Sequence, residues 1–178
     1  MLIIPNRGSS LPPPRMLHML LSTDFSHASE GGEEWVQYLT QHGVREVVLV
    51  HAIENPLLDI YSPDTTDLNL KHVSEESRQH PPRSAQPYWE NAMQVAKAKL
   101  SQLRQQLLAL MSPVLQAEIV VVEGSPATVI LEAAEQHQID CIVMATHGRS
   151  GVRRLVLGSV TEKVVRSSSR PVLAVPSR

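Results

Sequence analysis

Asp140-Cys141-Ile142-Val143-Met144 is a short apolar run that passes into Ala145-Thr146-His147-Gly148-Arg149-Ser150-Gly151, and Gly158-Ser159-Val160-Thr161 follows soon after. The first segment has the length and composition of a strand covered on both faces. The second, polar and glycine-bearing, reads as the turn beyond its carboxyl end, and Gly158–Ser167 reads as the next helix. Strand, turn and helix in that order are the repeating unit of parallel α/β folds.

The same alternation extends outward in both directions. Met16–Leu21 is a strand candidate, followed by the polar turn Ser22-Thr23-Asp24-Phe25-Ser26 and a helix over His27–His42, with Gly43 placed to end it. Ala28, Trp35 and Leu39 mark the expected buried side of that helix. Glu46–Val50 is a second strand. Met93, Ala96, Leu100, Leu103, Leu107 and Leu110 recur at steps of three and four, the stripe of a long helix that stops before Pro113. Ala117–Val122 is a third strand. Gly124-Ser125-Pro126 opens a helix running to about His137, with Ser125 as N-cap and Pro126 at the first helical position. Val172–Val175, after Pro171, is the last strand. The pattern predicts an open five-stranded, mainly parallel, Rossmann-like sheet with helices on both faces. Residues 1–15, ending in Leu11-Pro12-Pro13-Pro14-Arg15, read as a Pro-rich tail. Residues 16–178 read as one domain carrying a polar insertion at 54–87, the kind of long connection that serves as a flap or stays disordered.

Composition narrows the partners. A chain of 178 residues that is 42% hydrophobic and 19% charged can bury a core of its own. Aromatics make up only 3%, so that core must be aliphatic. A net charge of -2 and a pI near 6.4 supply no general attraction to nucleic acid. Cys141 is the single cysteine, so no intramolecular disulfide can form, and its apolar setting predicts a buried, inert thiol suited to a reducing cytoplasm. Pro5 interrupts Met1-Leu2-Ile3-Ile4 and no run of 18 apolar residues occurs, so neither export nor membrane insertion is expected. The 8 histidines lack zinc-ligand spacing, and no protein-ligated metal is expected.

The turn between Met144 and Thr161 suits phosphate. Amides at a helix N-terminus lack intrahelical acceptors, and the helix dipole adds partial positive charge there. Glycine at 148 and 158 admits close backbone approach and positive φ, while Ser159 and Thr161 offer hydroxyls. In open α/β sheets the ligand crevice lies beyond the carboxyl ends of strands where the winding reverses, which can set Asp24 and Gly148 facing one ligand. Plainer readings stand beside these: glycines that only shape a loop, an Asp24 that is a turn residue capping the following helix through its carboxylate, a loop histidine at His147, and solvated arginines at Arg149, Arg153 and Arg154. The phosphate-loop, dinucleotide and nucleophile-elbow signatures are absent from the sequence.

At these residues the chain resembles the universal stress protein family, whose nucleotide-binding members carry Gly-x-x-Gly, nine residues, then Gly-Ser/Thr. Here Ala145-Thr146-His147-Gly148 is followed, after residues 149 to 157, by Gly158-Ser159. Ala145 stands at the first motif glycine, and Ser22 stands where a proline is common. The resemblance runs from about Met16 to Val175, through Thr23-Asp24-Phe25-Ser26, Gly124-Ser125-Pro126 and Arg170-Pro171-Val172-Leu173-Ala174-Val175. It implies an adenine nucleotide alpha hydrolase-like fold. Asp24, flanked by Ser22 and Thr23, would contact adenine, and Ala52 would line the base pocket. Met144, Ala145, Thr146, His147, Gly148 and Arg149 would hold ribose and phosphate, and Gly158, Ser159, Val160 and Thr161 the outer phosphates. It further implies a homodimer through Val172–Val175.

Three functions fit this reading. The leading one is a cytoplasmic regulatory protein of the stress response that binds ATP, with Mg2+ carried by the phosphates, and acts on a protein partner. The others are a slow ATPase or phosphotransferase and a nucleotide-free dimeric scaffold. AMP and cyclic AMP stand as alternative ligands, because the adenine-side residues do not count phosphates.

Overall fold

Runs of valine, leucine and isoleucine become strands because their side chains fill the space between a sheet and its covering helices. The computed structural model of the protein describes residues 2–3, 18–54, 86–110, 116–146 and 157–176. The runs form β1 (Leu2–Ile3), β2 (His18–Ser22), β3 (Glu46–Ile53), β4 (Gln116–Glu123), β5 (Cys141–Ala145) and β6 (Val172–Val175). Between them lie α1 (Glu30–Thr40), entered through a 3-10 turn at His27–Ser29, α2 (Gln86–Leu110), α3 (Pro126–Gln136) and α4 (Ser159–Ser167).

The sheet order is β1-β6-β5-β2-β3-β4. The five strands from β2 to β6 are mutually parallel, the expected arrangement. β1 adds an antiparallel edge, with Leu2 opposite Leu173 and Ile3 opposite Val172. The stretch read as a tail therefore contains a short strand, because an open sheet edge offers backbone donors and acceptors to any extended segment. The rest of residues 1–15 and nearly all of the insertion lie outside the described residues.

β2 is covered on both faces. Met19 and Leu21 join Val47, Leu49 and Val143 beneath Val36 of α1 and Leu100, Leu103 and Leu107 of α2. Leu20 joins Val48, Val50, Ile142 and Met144 beneath Val129, Ile130 and Ala133 of α3 and Val164 of α4. Each fully buried aliphatic side chain contributes ~1.5–3 kcal/mol. Cys141 sits in this interior, and burial pushes its thiol up to about 11. No described helix is long and apolar enough to cross a membrane.

The buried side of α1 differs from expectation. Gly32, Val36 and Thr40 face the sheet, while Trp35 is 44% exposed. The cause is the glycine pair: a Cβ on Gly32 would lie 3.1 Å from Leu21 Cδ1, and one on Gly31 3.2 Å from Val175 Cγ1. Gly32 turns inward with Val36 and Thr40 and lets the helix approach the sheet over Leu21, while Gly31 meets Val175 at the start of the helix and Trp35, on the same line as Gly31, looks outward. Gly43 follows α1 with φ +109, a left-handed conformation that favours glycine. Ser125 does precede α3 with Pro126 at its start, but its hydroxyl makes no capping hydrogen bond.

Glu33 is half-buried in the groove between α1 and α2, beside Ser29, Lys99 and Gln102. Burial, with a smaller contribution from Glu30, raises its carboxyl from 4.5 to about 7. The folded protein therefore holds a proton there that the unfolded chain has released, so stability falls as pH rises from about 4.5 to about 7. Glu33→Gln is expected to flatten that part of the profile and to raise the melting temperature above pH 7, measured by thermal denaturation across the range.

Candidate functional site

The site is built where the winding reverses. β2 has β3 on one side and β5 on the other, and the chain reaches β3 through α1 but β5 only after crossing back through α3. The loops beyond the carboxyl ends of β2 and β5 therefore separate and leave a crevice between them. Leu21 pairs with Val143 in this register, so Ser22-Thr23-Asp24 and Ala145-Thr146 leave adjacent strands at the same edge.

The β2 turn is held by its own side chains. Thr23 is buried, and its amide donates to the Val50 carbonyl at 3.0 Å. Its hydroxyl accepts from the Phe25 amide at 3.0 Å and donates to Ser29 Oγ at 2.9 Å. Ser29 in turn donates to the Ser26 carbonyl at 2.7 Å. Asp24 Oδ1 accepts from the Ser26 amide at 3.0 Å and from the Ser26 hydroxyl at 2.5 Å. Asp24 thus closes the turn onto Ser26, ahead of the helix it was expected to cap, and this fixes the carboxylate at the crevice. These bonds hold Phe25 at φ 58, a left-handed conformation that costs a non-glycine residue about 1–2 kcal/mol.

Phe25 and His51 are additions that sequence patterning missed. Their ring centroids are 4.4 Å apart, and Lys99 Nζ lies 5.0 Å from the Phe25 centroid. A carbonyl can only accept, so His51 donates from Nδ1 to the Thr23 oxygen at 2.7 Å. The available signal was the Thr-x-Phe spacing of a hydroxyl-closed turn and a histidine in an otherwise apolar strand.

At the other lip, α4 is tied to the end of β5. Thr146 donates its amide to Val175 at 2.8 Å, and its carbonyl accepts from the Gly158 amide at 2.7 Å. Thr161 is buried and donates its hydroxyl to the Ala145 carbonyl at 2.8 Å. The first α4 backbone bond runs from Glu162 N to Gly158 O at 2.8 Å, so the amides of Ser159, Val160 and Thr161 precede the intrahelical ladder. Gly158 has φ -59 and ψ 154, open to any residue. The expectation of positive φ there is corrected, which leaves close backbone approach without a Cβ as the reading of this glycine.

The expected site residues thus divide by what they can present. Ser22, Thr23 and Asp24 stand at one lip, Ala145, Thr146, Gly158, Ser159 and Thr161 at the other, and Ala52 near the end of β3. Met144 and Val160 turn their side chains into or against the core, which leaves only their backbone to a ligand. Thr161 spends its hydroxyl on β5. His147, Gly148 and Arg149 lie outside the described residues. Among the described residues no three His, Cys, Asp or Glu side chains cluster as metal ligands.

A model of the universal stress protein family matches residues 57–176, more than half of the chain. The chain belongs to that family. It is 28% identical over 160 residues to a universal stress protein of Methanocaldococcus jannaschii, covering 88% of this chain and 93% of that one. The solved structure of that archaeal protein superposes with a TM-score of 0.70 at 26% identity, over 92% of this chain and 98% of the other. The fold is also shared with a universal stress protein solved in complex with cAMP (TM-score 0.56, 19% identity, 92% and 99% covered). An Arabidopsis thaliana family member solved with AMP bound shares it too (TM-score 0.53, 13% identity, 90% and 92% covered).

Thr161→Val keeps the side-chain shape but leaves the Ala145 carbonyl without its donor. It is expected to cost about 1–2 kcal/mol in urea denaturation, read as a lower midpoint at an unchanged slope.

Proposed function

We propose that this universal stress protein binds an adenine nucleotide, ATP in the leading reading, across the crevice between Asp24 and the N-terminus of α4. The observation that carries this is the α4 start itself: three amides ahead of the ladder, a glycine in front of them, and two hydrogen bonds that hold the helix to β5. Such a terminus takes a phosphate without rearrangement, because its donors are oriented and its dipole favours negative charge. Ser22, Thr23, Asp24 and Ala52 then form the base side. Ala145, Thr146, His147, Gly148 and Arg149 take the ribose and inner phosphate, and Ser159 faces the outer ones. Mg2+ arrives on the phosphates. The cAMP and AMP complexes of family members with this fold support the ligand class.

In this reading the protein is a cytoplasmic homodimer, paired through Val172–Val175, in which nucleotide occupancy changes the surface offered to a partner in the stress response. A nucleotide-free scaffold is the second reading. It is favoured by one observation: Thr161 and Asp24 already have partners within the chain, so the turn needs no ligand to hold its shape.

Calorimetric titration of nucleotide-free protein with ATP, AMP and cyclic AMP in magnesium tests both readings beside Gly158→Asp. Aspartate is a preferred N-cap and fits φ -59 and ψ 154, so the variant keeps its helix while placing a carboxylate against the phosphates. Binding by the parent chain that weakens at least about tenfold in the variant is expected, from charge repulsion worth more than ~1.4 kcal/mol. No heat with any of the three nucleotides in folded parent protein overturns nucleotide binding and leaves the scaffold.

A further inference from the structure

β6 ends the run of parallel strands, and beyond it, among the described residues, lies β1, whose two residues are opposite Leu173 and Val172. β1 is antiparallel to β6. That is the direction β6 of a second copy takes when a two-fold axis is set across this edge, since an isologous contact between edge strands pairs them antiparallel. The edge thus already accepts a strand in the orientation a twin would present.

One side of α1 flanks the same edge. Gly31, Trp35, Tyr38 and His42 are spaced i, i+4, i+7 and i+11, one line along the helix and the turn after it. At its start this line touches β6, where a Cβ on Gly31 would lie 3.2 Å from Val175 Cγ1 and 3.5 Å from the Pro176 carbonyl. The opposite side of α1, with Ser29 and Glu33, faces α2. The three rings form a ladder: Trp35 and Tyr38 meet edge-on at 5.9 Å, and Tyr38 and His42 lie 4.4 Å apart. In a chain with only 2 tryptophans, 3 tyrosines and 1 phenylalanine, this ladder is turned to solvent, with Tyr38 54% exposed. Leu173 of β6 is only partly buried on the same face. Exposed aromatics beside an apolar strand edge have the composition of a protein interface.

We propose that the outer edge of β6 and the aromatic side of α1 together dock a second copy of this chain, and that the chain's own residues 2–3 compete with that copy for the edge. This rests on the dimer reading above and adds to it a second contact and an internal competitor. A tethered strand acts at an effective concentration on the order of millimolar, whereas a free second copy acts at its actual concentration. β1 therefore holds the edge in dilute protein. The copy displaces it because it brings a longer strand and the Trp35–Tyr38 contact, neither of which two residues can match.

Sedimentation equilibrium of the full chain, of Leu2→Pro/Ile3→Pro and of Trp35→Ala/Tyr38→Ala tests this, with circular dichroism checking that each is folded. Proline cannot donate to a ladder, so the first variant loses the competitor and dimerises roughly five- to tenfold more tightly, the worth of about one hydrogen bond. The second variant dimerises at least about tenfold more weakly, as loss of an aromatic anchor pair requires. Equal dimer dissociation constants for the full chain and the proline variant overturn the competition. An unchanged constant in the alanine variant overturns the aromatic surface. If all three stay monomeric up to roughly 1 mM, the tether's own effective concentration, the dimer reading fails and takes this proposal with it.

Discussion

The parallel ladder that joins β2 to β3 on one side and β5 on the other constrains everything else in this protein. With Met19, Leu20 and Leu21 all fully buried, β2 has no solvent face, so helices must cover both sides of the sheet. Covering both sides forces the chain to wind in two directions from β2. The two windings part at the carboxyl edge, and the described turns there present polar groups toward the gap. The crevice is thus a by-product of burying three aliphatic side chains, and the turns that line it inherit their positions from the core.

Those turns are then stiffened locally, each by a different device. At the β2 lip, the Thr23 and Ser29 hydroxyls and the Asp24 carboxylate build a closed set of hydrogen bonds that carries Phe25 into left-handed backbone. At the β5 lip, Thr146 relays from β6 to Gly158, and Thr161 closes the same junction from inside the helix. The first lip offers a fixed carboxylate and the second a set of oriented amides, a complementary pair for a ligand with an amino donor at one end and negative charge at the other.

The strands and the helices covering both faces were legible because continuous apolar runs and the leucine steps of α2 are patterns that buried strands and an amphipathic helix must show. Leu100, Leu103 and Leu107 fall on the core where their spacing placed them. The motif at Gly158 was legible too, and of the two reasons read for its glycine, close backbone approach and positive φ, the torsion angles remove the second. Trp35 misled, because hydrophobicity alone cannot tell which of two neighbouring helix faces turns inward when glycines permit a closer approach. The β1 pairing was illegible because a two-residue strand carries no period, and the His51–Phe25 stack because it joins elements through space rather than along the chain.

The glycine pair of α1 has a bearing on how the chain is made. Gly31 and Gly32 weaken the helix intrinsically, by about 1 kcal/mol each relative to alanine, and recover that loss only by lying against Leu21 and Val175. Val175 belongs to β6, so α1 has its seat completed by a strand made long after it. Contacts so distant in sequence close late. During synthesis α1 must wait, with its aromatic side in the open, until β6 arrives to anchor it.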